Sequence, residues 1–190
     1  NIKCIFIGKG IKSNKLIIAI SGASGASLGL KVKEYLPKTI TPYFILTDNA
    51  KEVLSKEESI QSSLNIFEDS NIAAPMASGS FGADAMIITP CSMNTLAKIA
   101  CGIADNLTTR TASVIIKEQK KLLLAPREMP FSPIALENML KLSRLNTIIA
   151  PPILGYYAKT DTLEKMEDFI IGKWFDLLGI ENNLYERWNG

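Results

Sequence analysis

Three short clusters hold most of the side chains able to do chemistry in this sequence. Gly22-Ala23-Ser24-Gly25-Ala26-Ser27 combines glycines that allow close backbone approach with the N–H groups of a starting helix and two hydroxyls, Ser24 and Ser27. Such a turn can hold a phosphate. A tight turn with an N-cap is the plainer alternative, and the motif is neither a P-loop nor a good G-x-G-x-x-G. Cys91-Ser92-Met93-Asn94-Thr95 offers a second set of hydroxyl, amide and backbone donors, or an ordinary helix cap by Ser92. Arg127-Glu128 is the third cluster. Arg127 suits bidentate contact with a phosphate, and Glu128 is the best candidate for a proton carrier once burial raises its pKa. The alternative for this pair is a surface ion pair.

The chain has no histidine. Ser-His-Asp and Cys-His nucleophile systems are therefore excluded, and so is any histidine-ligated metal within it. Acid–base chemistry falls to Glu, Asp, Lys, Tyr or Cys. Cys91 has no evident base to activate it and reads as a buried structural cysteine. Arg110 and Lys117, about two helical turns apart, share a helix face that is either a cationic wall or simply solvated. Tyr156-Tyr157 either stack on a ring or cover the core.

Elements that place these clusters alternate along the chain. Lys15–Ile20 (KLIIAI) is a β-branched apolar run suited to a strand buried on both faces. A helix over Ala26–Leu36, a strand over Tyr43–Thr47 and a helix beginning in Asn49–Leu54 follow. Residues 58–82 read as a long polar, then small-residue loop, a length more often functional than idle. Ala85–Thr89 is the third strand, with a helix to Ala100 and another over Thr109–Lys120. Leu122–Ala125, a helix over Pro133–Leu142, Thr147–Ala150 and a long amphipathic helix over Leu163–Leu178 complete the order. This alternation implies an α/β, flavodoxin/Rossmann-like three-layer fold with a parallel sheet of five or more strands. The polar clusters follow the strands and so converge on the carboxyl rim, where such sheets bind ligands.

Composition narrows the class further. The chain's 190 residues suit one α/β core, with residues 1–14 an N-terminal extension and 15–190 a single domain. A net charge of +2 without a basic run argues against a nucleic-acid partner. Three separated cysteines argue against a disulfide framework. No apolar run approaches the roughly 20 residues that cross a bilayer, so no membrane partner is expected and the cytoplasm is the expected location.

Taken together, several segments resemble the flavin prenyltransferases, the UbiX/Pad1 family of the flavin-containing, flavodoxin-like superfamily. They are Ile20 to Ala26, Ala77-Ser78-Gly79-Ser80, Pro90 to Ala97, Asp105-Asn106-Leu107, Ala125 to Phe131 and Glu137-Asn138-Met139-Leu140. The resemblance implies that Gly22, Ala23, Ser24, Thr47, Ser92, Met93, Asn94 and Thr95 contact flavin mononucleotide (FMN). Arg127 would lie near its phosphate or ring edge. It also implies a dimethylallyl phosphate donor held by Tyr157 and Lys173, joined by Arg110 and Lys117 from a neighbouring subunit. Ser24, Glu57 and Glu128 would complete the catalytic set, Glu128 being the likelier proton shuttle. The family reaction joins a dimethylallyl group to N5 and C6 of reduced FMN without a metal. The product serves a UbiD-type decarboxylase in ubiquinone-type or aromatic-acid metabolism, and the enzyme assembles as a homo-oligomer, a dodecamer. Three positions depart from the family's commoner residues: Ile72 for an aromatic, Thr47 for Ser, and Lys173 for Arg.

The nearest alternative is an FMN-dependent decarboxylase, acting on aromatic acids such as 3-polyprenyl-4-hydroxybenzoate or on cysteine-type substrates. The cysteine-type enzymes use a His base, which this chain lacks. A non-catalytic flavin carrier is the third reading, and it has no use for the cationic set.

Overall fold

The computed structural model describes residues 14–22, 25–48, 50–51, 65–156 and 161–187. The extension proposed for residues 1–14 therefore lies almost wholly outside the described residues. So do Ala23, Ser24, Glu57, Tyr157 and most of the helix expected over Asn49–Leu54, of which Asp48, Ala50 and Lys51 are helical.

Six parallel strands form one sheet: β1 (Lys15–Ile20), β2 (Thr41–Leu46), β3 (Asn65–Glu68), β4 (Ala85–Cys91), β5 (Lys121–Pro126) and β6 (Thr147–Ile149). Their spatial order is β3-β2-β1-β4-β5-β6, so the winding reverses between β1 and β4. The helices described from end to end are α1 (Ala26–Glu34), α2 (Met93–Ala100), α3 (Leu107–Lys117), α4 (Pro133–Ser143) and α5 (Leu163–Leu178).

The continuous apolar run of β1 follows from burial on both faces. Ile17 and Ala19 join the core beneath α2, α3 and α4, with Met86, Ile88, Leu122 and Leu124. Leu16 and Ile18 point the other way, into a core closed by Val32 of α1 and Phe169, Trp174, Phe175 and Leu178 of α5. Alternation of side chains along a strand makes this division unavoidable.

Close packing of α1 depends on Gly29. A Cβ there would stand 2.6 Å from the Thr89 carbonyl oxygen and 2.8 Å from the Ile20 side chain. Lys31 bridges α1 to α5, with its Nζ 3.0 Å from Glu167 and 3.3 Å from Asp168. Burial opposes that charge, but hydrogen bonds to the two carboxylates outweigh it and hold the lysine pKa above its ordinary value.

One expectation fails. The stretch 58–82 is not a continuous loop, because β3 occupies Asn65–Glu68 and two 3₁₀ turns occupy Pro75–Ala77 and Gly79–Phe81. β3 is a short edge strand, half-buried only at Ile66 and Phe67. Four residues with two apolar members carry too little periodicity to announce a strand.

Candidate functional site

At the switch point the ends of β1 and β4 are laced together by Ser21. Its N–H and hydroxyl both donate to the Pro90 carbonyl at 3.2 Å, and its Oγ accepts from the Ser92 N–H at 3.1 Å. Gly22 follows, packed against Pro90 so closely that a Cβ would lie 3.0 Å from the proline Cγ. The next described residue, Gly25, has φ +83°, a left-handed conformation that L side chains rarely adopt. These glycines let the backbone turn sharply at the rim and leave its amides approachable.

Helix caps show where an outside acceptor fits. Ser92 caps α2, Asn106 caps α3, Ser132 caps α4 and Thr162 caps α5, each accepting from a first-turn N–H. Gly25, the N-cap of α1, has no side chain to offer, and no side-chain cap is present among the described residues. The first-turn N–H groups and positive dipole end of α1 thus face the rim, the arrangement that suits a phosphate. Arg127, on leaving β5, brings its Cδ within 4.0 Å of where a Gly25 Cβ would stand, adding a cation beside the same turn.

On one side of this crevice, Ser92, Met93 and Asn94 open α2. The Ser92 Oγ accepts from the Thr95 N–H at 3.1 Å and donates to the Thr95 hydroxyl at 2.9 Å, which pins the turn. Asn94 is exposed and Met93 half-buried, so both can meet a ligand, whereas Thr95 is buried within the cap. On the other side, Thr47 directly follows β2 and ties it to β1 through bonds of 3.2 Å from its N–H and hydroxyl to the Ile20 carbonyl. Beyond Thr47 an open groove of about 340 Å³ is lined by Thr47, Asp48, Asp69, Ser70 and Asn106. Asp69 is fixed there because it accepts from two N–H groups of α3, Leu107 at 2.7 Å and Thr108 at 2.8 Å.

Asp69 and Ser70 were absent from the sequence-derived site. Their only signal in the sequence is the weak strand that precedes them.

Several expected residues stand elsewhere. Arg110 lies in the first turns of α3, exposed and on the rim side. Lys117 closes the same helix about 10 Å further on. Its ammonium pairs with Glu118 and sits 3.2 Å from a Cβ placed on Gly79, while Phe81 nearby accepts from Lys15 at the start of β1. Lys117 and Ala77-Ser78-Gly79-Ser80 therefore belong to the amino edge of the sheet, not to their own chain's rim. Ile72, standing where the family often has an aromatic, is 56% exposed. Lys173 is exposed on α5, over the ring of Tyr185.

Glu128 is at the rim but exposed, its carboxylate accepting from the Met129 N–H at 3.2 Å. The burial expected to tune it is not supplied by the described residues of its own chain. Cys91 is buried, with its thiol pushed up to about 12 by desolvation, so it is a packed thiol rather than a nucleophile.

The Flavoprotein family model matches residues 9–175. A flavin prenyltransferase UbiX of Helicobacter pylori (strain ATCC 700392 / 26695) is 50% identical over 183 residues, covering 92% of this chain and 98% of that protein. The chain belongs to the flavin prenyltransferase family. A Campylobacter jejuni UbiX is 48% identical over the same shares of both chains. Among solved structures, AnUbiX (PadA1) in complex with FMN and dimethylallyl pyrophosphate superposes with a TM-score of 0.85 at 36% identity, covering 94% of this chain and 99% of that one. A dodecameric FMN-dependent UbiX-like decarboxylase from Escherichia coli O157:H7 gives 0.86 at 36% identity, covering 93% and 100%. A PPC decarboxylase matches at TM-score 0.63 and 23% identity, a likeness of fold alone. This flavin prenyltransferase family member has a flavodoxin-like sheet whose winding reverses at the β1/β4 crevice.

Proposed function

We propose that this chain is a flavin prenyltransferase that moves a dimethylallyl group from dimethylallyl phosphate onto N5 and C6 of reduced FMN. The observation that carries the reading is half identity to a named flavin prenyltransferase along 98% of that protein's length. The site supports it. The start of α1, without a side-chain cap among the described residues, and Arg127 take the FMN phosphate, Gly22, Ala23 and Ser24 follow its approach, and Thr47 and Ser92 to Thr95 flank the flavin.

Bound flavin supplies the nucleophilic N5 and the ring carbon at which the new ring closes. The protein's residues must do the rest. Cationic side chains stabilise the phosphate that departs with the electron pair of the broken allylic C–O bond. Tyr157 and Lys173, with Arg110 and Lys117 of a neighbouring subunit, fill that role. Closing the ring adds C6 to one carbon of the remaining allylic double bond, so a carboxylate must deliver a proton to that bond's other carbon and take one from C6; Glu128 takes this part, with Glu57 as the second acid. Glu128 is exposed in one chain, so assembly and bound flavin supply the desolvation. The protein works as a homo-oligomer, a dodecamer like its Escherichia coli neighbour, in the cytoplasm. Its product passes to a UbiD-type decarboxylase.

Phosphate and carbon dioxide release separate the two enzymatic readings. With reduced FMN and dimethylallyl phosphate under anaerobic conditions, inorganic phosphate should appear in step with flavin modification. Carbon dioxide from an aromatic acid, formed by the FMN-loaded protein without a prenyl donor, would instead favour the decarboxylase reading.

A further inference from the structure

The last described residues fold back on α5 and build an aromatic ladder. Gly172 leaves the seat: a Cβ there would come within 2.5 Å of the Tyr185 ring. From that seat Tyr185 packs edge-on against Phe169, with ring centroids 5.1 Å apart. Phe169 in turn covers Gly155, where a Cβ would lie 2.4 Å from the ring. The ammonium of Lys173 stands 5.8 Å from the Tyr185 centroid, within the range of a cation–π contact. The Tyr185 hydroxyl donates to Asp176, which is also gripped by the Arg187 guanidinium and Asn182.

We propose that Tyr185 is a positioning residue for the donor-phosphate site, holding Lys173 from beneath and, through Phe169 and Gly155, the loop that leads to Tyr157. The inference rests on the reading above in which Lys173 and Tyr157 bind the phosphate. Neither Tyr185 nor Gly172 carries a charge that could meet the phosphate itself. Their part is to restrict a long lysine side chain that otherwise loses considerable rotamer freedom on binding. Asp176 and its partners keep the ring in its seat.

Steady-state kinetics with dimethylallyl phosphate and reduced FMN test this on four variants of the full chain. Tyr185→Leu removes the ring, and Gly172→Ala expels it from its seat while adding a better helix former. Both should raise KM for dimethylallyl phosphate roughly three- to tenfold, the size of a cation–π contact, with FMN affinity unchanged. Tyr185→Phe keeps the ring and should stay near the parent. Lys173→Met should raise KM at least as far, and adding Tyr185→Leu to it should raise KM no further. Unchanged KM in Tyr185→Leu and Gly172→Ala, beside a raised KM in Lys173→Met, overturns the positioning role and leaves the phosphate reading intact. An unchanged KM in Lys173→Met removes the phosphate reading and this role with it. Loss of FMN binding in both ring variants, or an additive double variant, makes Tyr185 merely structural. Should Tyr185→Leu fail to fold, Gly172→Ala decides alone.

Discussion

Glu128 is the residue on which the proposed chemistry turns. It leaves β5 at the rim beside Arg127, and no histidine exists to share its task. Glu128→Gln preserves shape and hydrogen bonding but cannot carry a proton. Its rate of ring closure should fall by about 10²–10⁴-fold while FMN binding persists. Anaerobic spectra read this directly, because a flavin alkylated only at N5 differs from the closed-ring product. Wild-type closure by the variant would make the carboxylate structural and turn attention to Glu57.

Elements explain both what could be read in advance and what could not. KLIIAI and the helix over Leu163–Leu178 stand where periodicity put them, because one is buried on both faces and the other has a wide apolar stripe. α3 begins two residues earlier than expected, since the Asn106 and Thr109 side chains close a reciprocal capping box that starts the helix at Leu107. β3 escaped notice for want of apolar residues, and Asp69 with it. The rim positions of Gly22, Thr47, Ser92 and Arg127 can be read from the sequence because each lies within two residues of the end of a strong strand. The amino-edge position of Lys117 was not, since seven-residue spacing fixes a helix face but not which end of the sheet it reaches.

The C-terminal clasp on α5 has its own pH signature. Burial pushes the Asp176 carboxyl upward, but hydrogen bonds from Arg187, Tyr185 and Asn182 outweigh it and leave the pKa below the ordinary 3.8. A carboxylate depressed on folding contributes stability that is present above 3.8 and lost as pH falls through its folded value. Tryptophan and tyrosine fluorescence should therefore report loosening of the clasp below that point. Asp176→Asn should lack this acid-dependent step and be less stable at neutral pH. An acid transition identical in parent and variant would contradict the assignment.

At the scale of the whole molecule, one chain cannot gather the proposed donor site. α3 spans about 16 Å, and Lys117 sits at the end away from the rim that holds Thr47, Ser92 and Arg127. Exposed apolar side chains at Ile134, Leu136 and Leu140 of α4, with Met129 beside the rim, mark surface that an assembly can cover. A variant made monomeric by charged substitutions at Leu136 and Leu140 should bind FMN yet turn over poorly. Mixing it with a second variant impaired only at Lys117 should restore no activity unless assembly returns. Full turnover in a verified monomer would contradict a site shared between subunits.

As a flavin prenyltransferase, this protein should take FMN as its substrate and release it prenylated. Incubating the native assembly with reduced FMN and dimethylallyl phosphate without oxygen, then weighing the released flavin by mass spectrometry, tests it most directly. The released flavin should be heavier by one dimethylallyl unit, with the phosphate chain of FMN intact. Flavin recovered at the mass of unmodified FMN after many equivalents of donor would contradict it.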